Sequence, residues 1–198
     1  PVSVAKFGRY WRTLRYRGWH QLSFFFWRRV LHLPRRVARP APAFQRSGYA
    51  CPALVAPLRM SWLGAQSFEF LNKRCDFGTQ IDWSATAQTR LWAYNLHYFD
   101  WLPQAGSDGH SASAQAAEWY EYNPPVTCAG WGPHPLSLRL VNWLGVLEGQ
   151  QAPQSVIDSL ALQAAWLNAN LEFHLRANHL LVNIKALIFA GAFFDGRF

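Results

Sequence analysis

The sequence is poor in cysteine, which argues against a disulfide framework or a zinc site. It also lacks long apolar runs, which argues against a membrane span. Its 198 residues contain three cysteines. Cys51, Cys75 and Cys128 are odd in number and far apart, with no CxxC pair, so neither a disulfide framework nor a zinc site is expected. No stretch reaches the ~18 consecutive apolar residues that a membrane-spanning helix needs, so we predict no membrane span.

Acidic residues are missing from the first quarter of the chain. Residues 1–50 contain eleven Lys and Arg and no Asp or Glu, so the net charge of +8 comes from an N-terminal arm. Such arms bind nucleic acid, anionic lipid or acidic polymers, or simply form a solvated helical face. We predict a basic helical arm with a Pro/Arg-rich connector over 1–52 and a separate body over 53–198.

The body has the composition of a folded, mostly helical domain. Hydrophobic residues make up 51% of the chain and charged residues 15%, which excludes wholesale disorder. Apolar residues spaced by three and four predict helices at 4–17, 135–147, 153–175 and 178–194. We predict further helices at 21–33 and 112–122, and one that is capped by Asp82 or Ser84 and runs to about Leu102. Weak alternation predicts one or two short strands near 53–82. The expected fold is all-α, an incomplete α/α toroid built from helical hairpins.

One candidate site consists of Arg139, Asn142 and Trp143, which share a face of a predicted helix. A guanidinium pairs with a carboxylate, an amide hydrogen-bonds a hydroxyl, and an indole stacks on the apolar face of a sugar ring. These residues are therefore candidates for binding an acidic sugar. The alternative is a packed tryptophan beside an arginine that pairs with a nearby carboxylate.

A second candidate site lies in the segment WAYNLHYFDWL. It comprises Tyr94, Asn95, His97 and Tyr98. Polar aromatic side chains at this density are common in carbohydrate clefts, and equally common as buried rings whose polar atoms are satisfied.

The third candidate site lies in EFHLRANHLLVN, where one predicted helix gives way to the next. It contains Glu172, His174, Asn178 and His179. Asn178 suits the start of the second helix, where free N–H groups favour an anion. The alternative is a capping asparagine beside a core histidine. His174 and His179 are five residues apart, which is a poor spacing for a shared metal, so we predict no metal and no cofactor.

Three segments, taken in order, resemble the N-terminal helical domain of the heparinase II/III-type polysaccharide lyases. They are WAYNLHYFDWL, HPLSLRLVNWL and NLEFHLRANHLLVNIKALIFAGAFF. The resemblance covers residues 60–198, and the last segment is the most specific. It implies an α/α toroid followed by a β-sandwich, and cleavage of heparan-, heparin- or alginate-like polysaccharides by β-elimination.

The resemblance also implies roles for single residues. Asn178 matches the asparagine that neutralises the substrate carboxylate. His179 matches the adjacent histidine, which assists neutralisation or proton removal. Arg139, Asn142 and Trp143 match a segment that lines the cleft.

The catalytic tyrosine and a later histidine of the family would lie beyond Phe198. We therefore expect an N-terminal lyase fragment that is inactive alone. Its expected partners are an acidic polysaccharide, the rest of the toroid and the β-sandwich.

The family suggests a periplasmic or exported protein. Two alternatives stay open: a non-catalytic module that binds anionic glycans, and a nucleic-acid or membrane-surface binder driven by the basic arm. Nothing in the body supports the second, so nucleic acid is not an expected partner.

Overall fold

The computed structural model describes residues 60–105, 112–147, 152–175 and 178–194, together with Trp19, Leu22, Ser23 and Phe26. The predicted basic arm over 1–52 and the helices predicted at 4–17 and 21–33 lie outside the described residues, apart from those four positions.

A β-hairpin opens the described body. β1 (Ser67–Phe70) pairs antiparallel with β2 (Lys73–Asp76), and the Phe70–Lys73 pair closes the ladder. Leu71 and Asn72 connect the strands with φ values of 56° and 60°. Positive φ at both central residues is typical of the turn that matches the right-handed twist of a two-stranded ribbon. The hairpin confirms the short strands predicted near 53–82.

Helices make up most of the remaining described residues, which confirms the mostly helical prediction. The six α-helices are α1 (Arg90–Tyr98), α2 (Leu102–Ala105), α3 (Ala112–Tyr122), α4 (Pro133–Leu147), α5 (Gln154–Ala169) and α6 (Asn178–Phe193). Short 3₁₀ turns at Ala129–Trp131 and Phe173–Leu175 precede α4 and α6. Within these described ranges, none of the helices has both the length and the apolar character needed to cross a bilayer.

Two helices are shorter than predicted. The helix predicted at 84–102 begins only at Arg90, because the Thr89 hydroxyl caps it by accepting the Trp92 N–H at 3.3 Å. It ends before Phe99, whose φ of 58° is left-handed. The helix predicted at 153–175 stops at Ala169, and residues 170–172 lead into a 3₁₀ turn.

The core is built around tryptophan rings. Six of them are almost completely buried: Trp92, Trp101, Trp119, Trp131, Trp143 and Trp166. Trp119 lies at the centre, with ring centroids 6.0 Å from Trp131 and 5.6 Å from Trp143. Because a buried indole contributes a large apolar area, these rings stabilise the packing of α1, α3, α4 and α5.

Candidate functional site

The N-terminal ends of α4 and α6 are held together by a buried asparagine. The Asn183 amide, on α6, donates to the Ser137 hydroxyl at 2.9 Å and to the Pro133 carbonyl at 3.4 Å. Its carbonyl oxygen accepts the backbone N–H of Glu172 at 3.0 Å. One side chain therefore fixes two helix ends and the loop between α5 and α6 around the same point.

The side chains of His134, Glu172 and His179 meet at this point, and we call these three residues, together with the neighbouring Asn178, the helix-end cluster. His179 Nδ1 lies 3.1 Å from a Glu172 carboxylate oxygen, and the rings of His134 and His179 are 4.4 Å apart. The His179 side chain is 41% exposed and that of Glu172 is 10% exposed. Asn178, the first residue of α6, is exposed. The cluster thus opens to solvent.

The cluster combines charges of both signs, because the Glu172 carboxylate lies beside the starts of two helices. Two long helices begin here with the positive ends of their dipoles on this side, although Pro133 and Pro135 have no N–H to donate from the start of α4. Burial, followed by the neighbouring His179, lowers the pKa of His134 below its usual range, while Glu172 acts in the opposite direction. Asn178 adds an amide group that is able to donate to an oxygen atom.

Tyr98 extends the cluster toward α1. Its ring packs edge-on against His134, with centroids 5.9 Å apart. The Asn142 amide donates to the Tyr98 carbonyl at 2.8 Å and so holds the end of α1 against α4. Burial raises the pKa of the Tyr98 phenol, as do the nearby Tyr94 and Asp100. Asn142 therefore has a structural role, and Tyr98 forms one end of the open face.

Tyr94 and Asn95 are both half-buried on α1. The Tyr94 hydroxyl accepts a hydrogen bond from Arg90 Nε at 2.7 Å. The Asn95 amide donates to the Leu91 carbonyl, one turn earlier in the same helix, at 2.8 Å. Tyr94 lies one helical turn from Tyr98, on the side of the cluster, whereas Asn95 is occupied by its own helix.

The prediction that Arg139 binds substrate is wrong, because its side chain is completely buried. Nε donates to Gln163 Oε1 and Nη1 donates to the Gly130 carbonyl, both at 2.8 Å. The guanidinium carbon lies 3.8 Å from the centroid of the Trp119 ring. Burial lowers the pKa of Arg139 to about 9. Arg139 is a core residue that stacks on an aromatic ring.

The same correction applies to Trp143 and His97, which are 0% and 1% exposed. Trp143 packs edge-on against Trp119 in the core. His97 Nδ1 accepts the indole N–H of Trp119 at 3.1 Å, which leaves its proton on Nε2. Desolvation is the main cause that lowers the pKa of His97 to about 3. Neither side chain reaches a polysaccharide, so the packed alternative holds for both.

The structure adds His134 to the residues that the sequence singled out and gives Glu172 a role. His134 is the second residue of α4, and no local spacing links it to His179, 45 positions later. Glu172 stood in the same segment as His179, but only the turn at Phe173–Leu175 brings the two side chains together. His174 lies on that turn and is not part of the cluster.

A cavity of about 560 Å³ lies elsewhere in the molecule. It is lined by the loop 80–84, by Tyr122, Asn123, Pro124 and Thr127, and by Cys128. None of the residues predicted to bind substrate lines it. The open helix-end cluster, and not this cavity, is therefore where the predicted catalytic residues lie.

Comparisons with protein-family models, with curated proteins and with solved structures found no match to this chain.

Proposed function

We propose that this chain is part of a polysaccharide lyase that cleaves uronic-acid-containing polysaccharides, of the heparan, heparin or alginate type, by β-elimination. The observation that supports this most directly is the exposure of Asn178 and His179 side by side at the start of α6. These are the two residues to which the resemblance to heparinase II/III-type lyases assigns neutralisation of the substrate carboxylate.

The chemistry requires such a pair. The C5 hydrogen of a uronate is acidic enough to remove only when the adjacent carboxylate no longer repels the developing negative charge. The Asn178 amide and the His179 imidazole would donate hydrogen bonds to that carboxylate, and each donor of this kind is worth about 3 kcal/mol. Glu172, 3.1 Å from His179 Nδ1, would orient the imidazole.

Tyr98 is a poor candidate for the base that removes the proton. Its pKa is raised by burial, so the phenolate that would act as base is disfavoured. The resemblance assigns proton removal to a tyrosine outside the three matching segments. We therefore propose that Tyr98 forms one end of the open face beside the helix-end cluster, where it would contact the polysaccharide, and takes no part in proton transfer.

For the fold, we propose a portion of an α/α toroid. Consecutive helical hairpins in such a ring bring every second helix side by side, and α4 and α6 lie in this way with their N-terminal ends together. Leu181, Ile184 and Ile188 form an exposed apolar row on α6. An uncovered row of this kind is expected where a further pair of helices continues the ring.

The test is formation of the unsaturated uronate product, followed by its ultraviolet absorbance. The 198-residue chain and the product of the whole gene are each incubated with alginate, heparan sulfate and heparin. We expect product from the whole gene product. Asn178→Ala should lower kcat by about 10²–10³-fold, as for loss of one oxyanion donor. Gln154→Ala, an exposed amide on α5, is the matched control and should retain full activity.

Absence of product from both proteins on all three polymers would overturn the lyase proposal. In that case, salt-sensitive binding of the polymer without cleavage would support the alternative of a glycan-binding module, for which the basic N-terminal arm supplies the charge. Carboxyl-reduced polymers serve as the control ligand, because a site that recognises uronate carboxylates should not bind them.

A further inference from the structure

Three side chains of the helix-end cluster have the chemistry of metal ligands. His134 comes from α4, Glu172 from the loop after α5, and His179 from α6. One ligand atom from each lies within 4.8 Å of the other two. His134 Nδ1 is buried and has no hydrogen-bond partner among the residues that the structure describes. We propose that these three residues bind a divalent transition-metal ion of the zinc class.

The distances are close to those of a tetrahedral zinc site. Bonds of about 2.1 Å place neighbouring ligand atoms about 3.4 Å apart. The 3.1 Å separation of His179 Nδ1 and the Glu172 oxygen already matches this edge. The ligand atom of His134 lies at most 4.8 Å from the other two, so a shift of about 1.5 Å would complete the triangle.

The ligand set and its supports also fit. Two imidazoles and one carboxylate, with a fourth position open, are a common set for zinc and for other first-row divalent metals. The Glu172 carboxylate supplies the negative charge that offsets the positive ends of the two helices. Asn183 fixes the Glu172 backbone from behind, and such outer contacts keep metal ligands in place. The exposed side of His179 leaves the open position facing solvent.

The sequence did not indicate this site, because it offered only His174 and His179 as a histidine pair. His134 takes the place of His174 through the packing of α4 against α6. The inference uses His179 and Glu172, which also have roles in the lyase proposal, but it is tested separately, because binding of the metal alone is measured without a polysaccharide. A chain that binds zinc but does not cleave polymer, or cleaves polymer without binding zinc, would separate the two.

The test is titration of the untagged 198-residue chain with zinc in the presence of a chromogenic chelator, followed by cobalt(II) absorption. We expect one equivalent to bind, with the cobalt spectrum of nitrogen and oxygen ligands and no thiolate band. His134→Gln and Glu172→Gln should each weaken binding by at least about tenfold. His174→Gln is the matched control, because it removes a nearby histidine outside the cluster and should leave the affinity unchanged.

Three results would overturn the proposal: no saturable binding, a thiolate band that assigns the metal to cysteine, or loss of affinity in His174→Gln equal to that in His134→Gln. Far-ultraviolet circular dichroism of each variant shows whether it is folded. If His134→Gln fails to fold, the isosteric Glu172→Gln decides the question, because the Asn183 contact is to the Glu172 backbone and survives the change.

Discussion

At the scale of single residues, Arg139 carries a full charge into the centre of the core without a carboxylate partner among the described residues. Its charge is stabilised by two neutral acceptors and by the faces of Trp119 and Trp143, with the guanidinium carbon 3.8 and 5.7 Å from the ring centroids. Sequence spacing placed Arg139 and Trp143 together correctly. It did not indicate that this face of α4 is buried. Nearly the whole circumference of the helix is buried, so the sequence pattern does not distinguish a face in the core from a face toward solvent.

Arg139→Ala should therefore destabilise the protein by about 3–5 kcal/mol, since it leaves a cavity and two buried acceptors without donors. Urea denaturation measures the change in the free energy of unfolding. The exposed Arg90, which contacts Tyr94, provides the control. Arg90→Ala should cost no more than about 0.5 kcal/mol, and equal losses in the two variants would contradict a core role for Arg139.

His97 should make stability depend on pH. Its pKa is about 3 in the folded protein against an ordinary value of 6.5, so the unfolded chain binds the proton first as the pH falls. The free energy of unfolding should therefore fall between pH 6.5 and 3, by up to about 1.4 kcal/mol per pH unit from this residue. Denaturation of the wild type and of His97→Gln across this range isolates the effect. If the free energies of unfolding of the two proteins change in parallel with pH, the pH dependence does not arise from His97.

At the scale of elements, the bounds of α3 and α6 follow from the sequence, whereas the start of α1 and the end of α5 do not. Pro124 and Pro125 stop α3 soon after its last turn, so local chemistry decides its end. Asp82 and Ser84 are suitable N-cap residues before α1, but Ile81, Trp83 and Ala85 are buried from a non-helical segment. Tertiary packing, and not local preference, fixes that boundary.

The 3₁₀ turn before α4 packs tightly against the core at Gly130. A Cβ at this position would lie 2.7 Å from His97 Nδ1 and 3.1 Å from a ring carbon of Trp119. Both neighbours are buried, so Gly130→Ala should destabilise the protein by about 1–3 kcal/mol. Gly191→Ala on α6 is the contrast, because a Cβ there meets no atom of the described residues within 4 Å. Thermal denaturation should show it unchanged or more stable by up to about 1 kcal/mol.

At the scale of the whole molecule, the helix-end cluster exists because α4 and α6 pack with their starts together. The sequence placed Asn178 and His179 at the beginning of a helix correctly. His134 could not be added, because its proximity to His179 depends on how two helices 45 residues apart are arranged. Long-range packing of this kind leaves no local signal in a single sequence.

Asn183 should be the residue on which this arrangement depends most. Asn183→Ala removes hydrogen bonds to Ser137, to Pro133 and to the Glu172 backbone, and we expect a loss of about 2–4 kcal/mol in the free energy of unfolding. Asn142→Ala is the matched control, since it removes a single half-buried bond to Tyr98 and should cost about 1 kcal/mol. Chemical denaturation of both variants checks the order, and a reversed order would contradict the assignment.

The close-set tryptophans also give the protein an optical property. Trp119, Trp131 and Trp166 follow one another with successive centroids 6.0 Å apart, near enough for excitation energy to pass between the indoles. The near-ultraviolet circular dichroism of the folded chain should consequently be strong and arise mainly from this group, and its disappearance will report loss of core packing even where helices persist.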